Sequence, residues 1–283
     1  MHTFTLNYKN FLNDYNSKKN VKQKNFFKKI IYKLQNKPGF VLIKNFNVNS
    51  KSLIKTTEEY KKFLSNFGIL LKQNKKAEKI VKVEDKGGKW SPKNRGFNTS
   101  EMIPFHTDGG QIAALLCVRP SLNGGQSKLT SAENIYDQLK TNKFILNKLL
   151  EGFHYHTRGE NKSSNTNISK KKYPVFFKKN KRLHCMFNKK PILWALEKTN
   201  DKEYKNKIKA INKFERLSNI KKNVYKFKLN SGDILIYNNY KILHGRDKFK
   251  NNLKSKRLLL RAWMNVKKFC YNGPNLLDAY QNK

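Results

Sequence analysis

The stretch NRGFNTSEMIPFHTDGG, residues 94–110, departs from its surroundings. The chain is otherwise rich in lysine and asparagine, yet this segment contains no lysine. An apolar approach, Met102-Ile103-Pro104-Phe105, leads into His106-Thr107-Asp108 and two glycines, Gly109 and Gly110. In an extended segment residues i and i+2 point to the same side. His106 and Asp108 therefore share a face, and Thr107 points away. Two side chains placed this way can bind one metal ion if a third ligand comes from elsewhere. Two histidines and a carboxylate on one side of a metal, with the other side open, are the ligands of a non-haem Fe(II) oxygenase. His-x-Asp alone is weak evidence, because an ordinary turn explains it equally well.

The remaining histidines supply candidates for the third ligand. His2 lies in a polar N-terminal arm, His154 and His156 form a second i, i+2 pair in FHYHTRGE, and His184 sits in an apolar run. His244 follows a turn, a strand and two asparagines in GDILIYNNYKILHGR. Arg257 and Arg261 come shortly afterwards in RLLLR. The combination of HTD, Gly-Gly, a late HGR and RxxxR is far more specific than any of its parts. Nothing in the sequence clusters with His154 and His156 to make a second metal site.

Composition sets the limits. The chain has 283 residues, 37% hydrophobic and 12% aromatic, which suits one large globular domain or two small ones. The net charge is +42, from 61 Lys+Arg against 19 Asp+Glu. Such an excess points toward nucleic acid or an anionic surface. However, only eight of those basic residues are arginine, the usual reader of bases and phosphates. The lysine is also spread along the whole chain with asparagine and isoleucine, so it reads as a solvated surface that binds polyanions only non-specifically. Cys117, Cys185 and Cys270 are odd in number and far apart, which predicts reduced thiols and a cytoplasmic protein. The N-terminus shows no apolar signal segment, and no run reaches the ~18 apolar residues of a membrane span. The expected partner is a small molecule, with no specific nucleic acid and no membrane; a homo-oligomer is compatible with the sequence.

Periodicity predicts an amphipathic helix ending before Pro38-Gly39. A second helix starts near Ser50 or Ser52 and ends at Gly68, and others span 133–150 and 201–218. Short strands are expected at 40–46, 79–83, 112–118, 126–132, 174–177, 182–187, 224–229, 233–238 and 257–264. NKSSNTNISKKK, 161–172, reads as a loop. Many short strands with interspersed helices suggest an antiparallel sandwich or jelly roll.

These motifs resemble the taurine dioxygenase/TfdA family of Fe(II)- and 2-oxoglutarate-dependent oxygenases, in the branch similar to clavaminate synthase. The similarity runs from about 38 to 265. Besides the opening stretch it includes PGFVLIKNF (38–46), LKQN (71–74), LLCVRP (115–120), GGQSKLTSA (124–132), GFHYHTRGE (152–160), GDILIYNN (232–239), LHGRDKF (243–249) and RLLLRAWM (257–264). The resemblance implies a mainly β (α+β) double-stranded β-helix with flanking helices. It suggests a basic arm and helix over 1–36, the dioxygenase domain over 37–270 and a C-terminal tail over 271–283.

By the same resemblance His106, Asp108 and His244 match the metal ligands, and Arg257 matches the anchor of the distal 2-oxoglutarate carboxylate. Ser127 stands where the family usually has a threonine that helps hold that group. Arg261 matches a second arginine that meets the co-substrate or an anionic substrate group. Asn74 and Arg158 are further candidates for contact with substrate, and residues 98–101 are expected to border it. An arginine fork suits a planar carboxylate as lysine does not, a reason for arginine here in a lysine-rich chain. The implied cofactors are Fe(II), 2-oxoglutarate and O2. The implied reaction is hydroxylation of a small polar, carboxylate- or sulfonate-bearing metabolite with release of succinate and CO2. Asp108 argues against halogenation, which needs a small residue there. Desaturation or cyclisation at the same metal site, and a non-catalytic jelly-roll binding protein, are the alternatives.

Overall fold

The computed structural model describes residues 5–7, 20–160, 166–251 and 256–281. The first part of the chain forms β1 (Thr5–Asn7), α1 (Asn20–Gln35), β2 (Phe40–Lys44), α2 (Leu53–Ser65), β3 (Ile69–Leu70) and β4 (Ile80–Glu84). β5 (Ile103–His106), β6 (Ile112–Arg119), β7 (Asn123–Gly124) and β8 (Ser127–Ser131) follow. Next come helices α3 (Ala132–Leu139) and α4 (Lys143–Glu151), the hairpin β9 (Phe176–Lys179) and β10 (Arg182–Cys185), and helices α5 (Lys189–Thr199) and α6 (Tyr204–Ser218). The last elements are β11 (Tyr225–Phe227), β12 (Ile234–Asn238), β13 (Ile242–Arg246), β14 (Phe249–Lys250), β15 (Leu258–Asn265) and α7 (Leu276–Gln281).

Two sheets carry the architecture. The larger has strand order β1-β2-β12-β6-β15-β3, with β4 also paired to β15; the smaller has order β11-β8-β13-β5. The run RLLLRAWM shows why the larger sheet sits where it does. Leu258, Leu260, Ala262 and Met264 of β15 point to one side, where Ile30 and Leu34 of α1 and Tyr60 and Phe63 of α2 cover them. Leu259 and Trp263 point to the other side and pack with Leu235 and Tyr237 of β12. Both faces are buried, so the strand reads as a nearly continuous apolar run. Each such large side chain taken fully out of water contributes about 1.5–3 kcal/mol. Behind the smaller sheet, Leu243 of β13 packs with Ile135 of α3, Leu149 of α4 and Phe214 of α6. The space between the sheets is lined by Arg257, Leu259, Arg261 and Trp263 from one side and His106 and His244 from the other.

Several elements differ from expectation for identifiable reasons. The single helix predicted over 133–150 is two, because the Asn142 side chain accepts from Ile145 N at 3.1 Å and starts a new helix. α2 is capped by Ser52, as the spacing predicts, but ends at Asn66. Gly68 has a different role: a Cβ there would lie 2.2 Å from Asn265 O, so close backbone approach requires glycine. The pattern over 201–218 starts later, at Tyr204, and α5 was not anticipated. β13 also escaped the periodicity reading. The stretch expected as a tail carries α7, whose Leu276, Ala279 and Tyr280 are buried against the helical cluster. In the N-terminal arm, β1 pairs in parallel with β2, while 1–4 and 8–19 lie outside the described residues. The loop expected over 161–172 falls outside them at 161–165. Among the described residues no helix is long and apolar enough to cross a membrane.

Candidate active site

β5 ends at His106, and the chain continues through Thr107 to Asp108. Thr107 turns away as i, i+2 alternation requires: its N–H donates to Phe187 O at 2.8 Å, and its hydroxyl accepts from Phe187 N at 3.0 Å. His106 and His244 are register partners across the antiparallel pair β5–β13, with ring centroids 4.1 Å apart. Ligand atoms of His106, Asp108 and His244 all lie within 4.8 Å of one another. Among the described residues this is the only such cluster.

The surroundings prepare these groups for a cation. His106 Nδ1 lies 2.9 Å from Pro104 O, which places the proton on Nδ1 and leaves the Nε2 lone pair free. Burial, together with the neighbouring His106, pushes His244 down to about 3, and burial also lowers His106, so both rings are neutral near pH 7. Burial would raise Asp108, but the Arg261 guanidinium and the two imidazoles outweigh it, leaving Asp108 well below the usual carboxylate range. Arg261 Nη1 donates to Asp108 Oδ1 at 3.3 Å, and Tyr237 Oη donates to Oδ2 at 3.3 Å. His244 Nδ1 is buried without a hydrogen-bond partner. Two neutral imidazoles and an ionised carboxylate converging at these distances fit a divalent first-row metal.

Asn239 fixes the ligand loop. Its Oδ1 accepts from Asp108 N at 2.7 Å, and its Nδ2 donates to Gly109 O and Gly110 O, each at 3.1 Å. Gly109 leaves room for Trp263, whose ring atoms would lie 2.8 Å from an added Cβ.

The other expected residues fall in distinct places. Arg261 lies on β15 and Arg257 immediately precedes that strand, four residues away in the same run, and both line the cavity. Arg257 is buried and stacks over Phe249 with Cζ 5.1 Å from the ring centroid; its Nη1 has no partner. Ser127 is buried in the same cavity. Arg158 lines the cavity from another side, over the Tyr280 ring at 4.1 Å. Asn74 does not join them. It closes an exposed turn in which its Nδ2 donates to Glu78 Oε2 at 2.6 Å. Its neighbour Gln73 is the buried one, accepting from Arg261 Nε and donating to Arg261 O, both at 2.9 Å. His154 Nδ1 lies 2.7 Å from Ser169 O, and His156 Nδ1 accepts from Arg158 N at 3.0 Å. Of the stretch before the ligands, Arg95 and Phe97 line the cavity, while Thr99 O and Glu101 O accept from Arg246 Nη2.

A model of the family described as "Taurine catabolism dioxygenase TauD, TfdA family" matches residues 14–263. The chain belongs to this family. Among curated relatives it is similar to FR-33289 synthase of Streptomyces rubellomurinus (strain ATCC 31215), 27% identical over 209 residues, 71% of this chain and 61% of that protein. It is also similar to the taurine hydroxylase-like protein SAT17 of Stachybotrys chartarum (strain CBS 109288 / IBT 7711), 29% identical over 163 residues, 54% of this chain and 39% of that protein. The matched region thus spans less than two thirds of either relative. Among solved structures, asparagine oxygenase in complex with Fe(II), 2S,3S-3-hydroxyasparagine and succinate superposes with a TM-score of 0.67 at 13% identity, covering 86% of this chain and 79% of the other. Non-heme iron oxygenase OrfP in complex with Fe and alpha-ketoglutaric acid gives 0.62 at 11% identity, with coverages of 86% and 79%. The fold is accordingly the double-stranded β-helix of these oxygenases, as the resemblance implies and in agreement with the strand pattern.

Within this TauD/TfdA chain, sequence reasoning missed residues that a consistent use of its own rules would have found. Arg246 is two residues beyond His244 on β13, so the alternation that paired His106 with Asp108 also turns Arg246 into the cavity. Tyr237 obeys the same rule on β12. Gln73, Arg95 and Tyr280 carry no comparable local signal, since long-range packing alone brings them to the site.

Proposed function

We propose that the protein is an Fe(II)- and 2-oxoglutarate-dependent dioxygenase that hydroxylates a small, polar, anionic metabolite and releases succinate and CO2. The observation that carries this reading is the convergence of His106, Asp108 and His244 between the sheets. Family membership and the iron and 2-oxoglutarate or succinate complexes of the structural neighbours support it. Iron(II), when bound, supplies the O2 activation that couples decarboxylation of 2-oxoglutarate to oxidation of the substrate.

The protein's own residues do the rest. His106, Asp108 and His244 would hold the metal from one side. Arg257, with its Nη1 unpartnered and Ser127 in the same cavity, is the group to receive the distal carboxylate of 2-oxoglutarate. Phe249, stacked beneath Arg257, holds the guanidinium plane and keeps water from it. Arg261 pairs with Asp108 and would be available to an anion near the centre when Asp108 serves as a metal ligand. Leu259, Leu235 and Trp263 provide an apolar wall that shields the reacting centre. The functional unit includes α7 along with 37–270, because Leu276 and Tyr280 complete the cavity.

Anaerobic addition of Fe(II) and then 2-oxoglutarate to the purified protein tests this. A weak visible charge-transfer band, lost in Asp108→Ala, is the expected result. Well-folded protein that gives no band would overturn the reading.

A further inference from the structure

Five of the chain's eight arginines, Arg95, Arg158, Arg246, Arg257 and Arg261, line this one cavity, and among the described residues no lysine does. The surface is lysine-rich throughout, so the selection of arginine inside marks a place where planar oxyanions are held. The charges in the cavity can be paired off on the proposed function, on which this inference rests. Iron(II), Asp108, the two carboxylates of 2-oxoglutarate and Arg257 cancel. Glu160 accepts from Arg95 and cancels it. Arg246 keeps its charge and gives its Nη2 to the carbonyls of Thr99 and Glu101. Of the three uncancelled cations, Arg246 shares the Phe249 ring with Arg257 at the 2-oxoglutarate end, whereas Arg158 and Arg261 stack elsewhere, on Tyr280 and on Phe97 and Trp263; among the described residues no carboxylate forms an ion pair with Arg158.

Arg158 is built to stay in place. Its guanidinium stacks on Tyr280 of α7, and its Nε is buried without a partner, as is Tyr280 Oη. Its backbone has φ 56°, a conformation uncommon for a non-glycine residue, and its N–H is tied to His156 Nδ1. His156 N in turn donates to Pro191 O at 2.9 Å. A cation fixed by a stacked ring and a locked turn, with an unpartnered donor and no ion-pair partner among the described residues, is pre-organised for an anion.

We infer that the substrate is a dianion, with one anionic group held by Arg261 beside the metal ligands and a second held at the far wall by Arg158 and Tyr280. The shared chemistry is two oxyanion groups on one small molecule, either two carboxylates or a carboxylate and a phosphonate.

The test uses the Fe(II)- and 2-oxoglutarate-loaded protein without oxygen, with 2-oxoglutarate saturating so that its own site is filled. Butyrate, adipate and 3-phosphonopropionate are titrated at constant ionic strength, followed by the fluorescence of Trp90 and Trp263, both in the cavity wall. The dianions should bind on the order of 10-fold more tightly than butyrate, the worth of one charge-assisted pair. Arg158→Gln should abolish that preference and leave butyrate binding unchanged, and Arg158→Lys should restore part of it. A preference for adipate supports the inference and selects a dicarboxylate; a preference for 3-phosphonopropionate supports it and selects a phosphonate. Equal binding of all three probes would overturn it, as would a preference that survives in Arg158→Gln or a uniform loss across the probes. The charge-transfer band in the same samples separates the outcomes. A band without dianion preference sinks this inference alone, whereas no band sinks the proposed function.

Discussion

His106 and His244 face each other as register partners on β5 and β13, 4.1 Å apart at their ring centroids. Two imidazoles this close in a buried space cannot both be protonated at modest cost. The protein keeps them neutral by burial and sets Asp108 Oδ2 3.5 Å from His244 Nε2. The arrangement suits a cation other than a proton. It depends on the hydrogen-bonded ladder of the smaller sheet, which is more rigid than a loop.

Removing the carboxylate should therefore act on both metal and fold. Asp108→Ala leaves the Arg261 charge buried without its partner. Metal-free protein should lose about 3–5 kcal/mol of stability, as for other broken buried pairs. Urea unfolding of Asp108→Ala and of the double variant Asp108→Ala/Arg261→Met measures this. The double variant should recover most of the loss; if it does not, the ion pair is not the cause.

Asn239 touches no expected ligand atom, yet three backbone groups of the ligand loop depend on it. Asn239→Ala should weaken metal binding by roughly 10–100-fold, the usual effect of losing a supporting partner of a metal ligand. Isothermal titration with Mn(II) tests this. Unchanged affinity would show that the strands alone hold Asp108 in place.

Arg257→Lys keeps the charge and loses the fork. A charged hydrogen bond is worth about 1.5–3 kcal/mol, so the 2-oxoglutarate KM should rise on the order of 10- to 100-fold. Ser127→Ala should give a smaller rise. A KM in Arg257→Lys equal to that of the wild type would place the carboxylate elsewhere, with Arg246 the next candidate.

How much of this was legible beforehand follows from the range of the interactions. The cluster of His106, Asp108 and His244 was legible because His106 and Asp108 alternate within one extended stretch, while His244 sits in a short motif that carries the family resemblance. The Arg257–Arg261 pair was legible for the same reason. Asn74 stands out in LKQN although Gln73 is the residue that reaches Arg261, because the approach of β15 to Gln73 comes from most of the chain away and no local pattern shows which neighbour turns inward. α7 read as a tail because its six residues are too few for a periodic signal, and its burial comes from packing against distant helices. The two helices over 132–151 looked like one because Asn142 caps only in a conformation that the sequence pattern does not reveal.

His184 gives a prediction about acid stability away from the site. It is fully buried, stacked on Phe177 at 4.8 Å and next to Tyr240 and Tyr271, with Nε2 unpartnered. Burial lowers its pKa from the ordinary value of 6.5. In the unfolded chain the ring takes up a proton as pH falls through 6.5, while the folded protein resists until a lower pH. The unfolded state therefore binds more protons in that window, and stability, complete above pH 6.5, declines as pH falls toward and through the folded pKa. His184→Phe removes the titrating group and the unsatisfied nitrogen together. Its urea midpoint should fall less steeply than the wild type's as pH is lowered from 6.5. Parallel midpoint curves for the two proteins would mean that other groups carry the acid sensitivity.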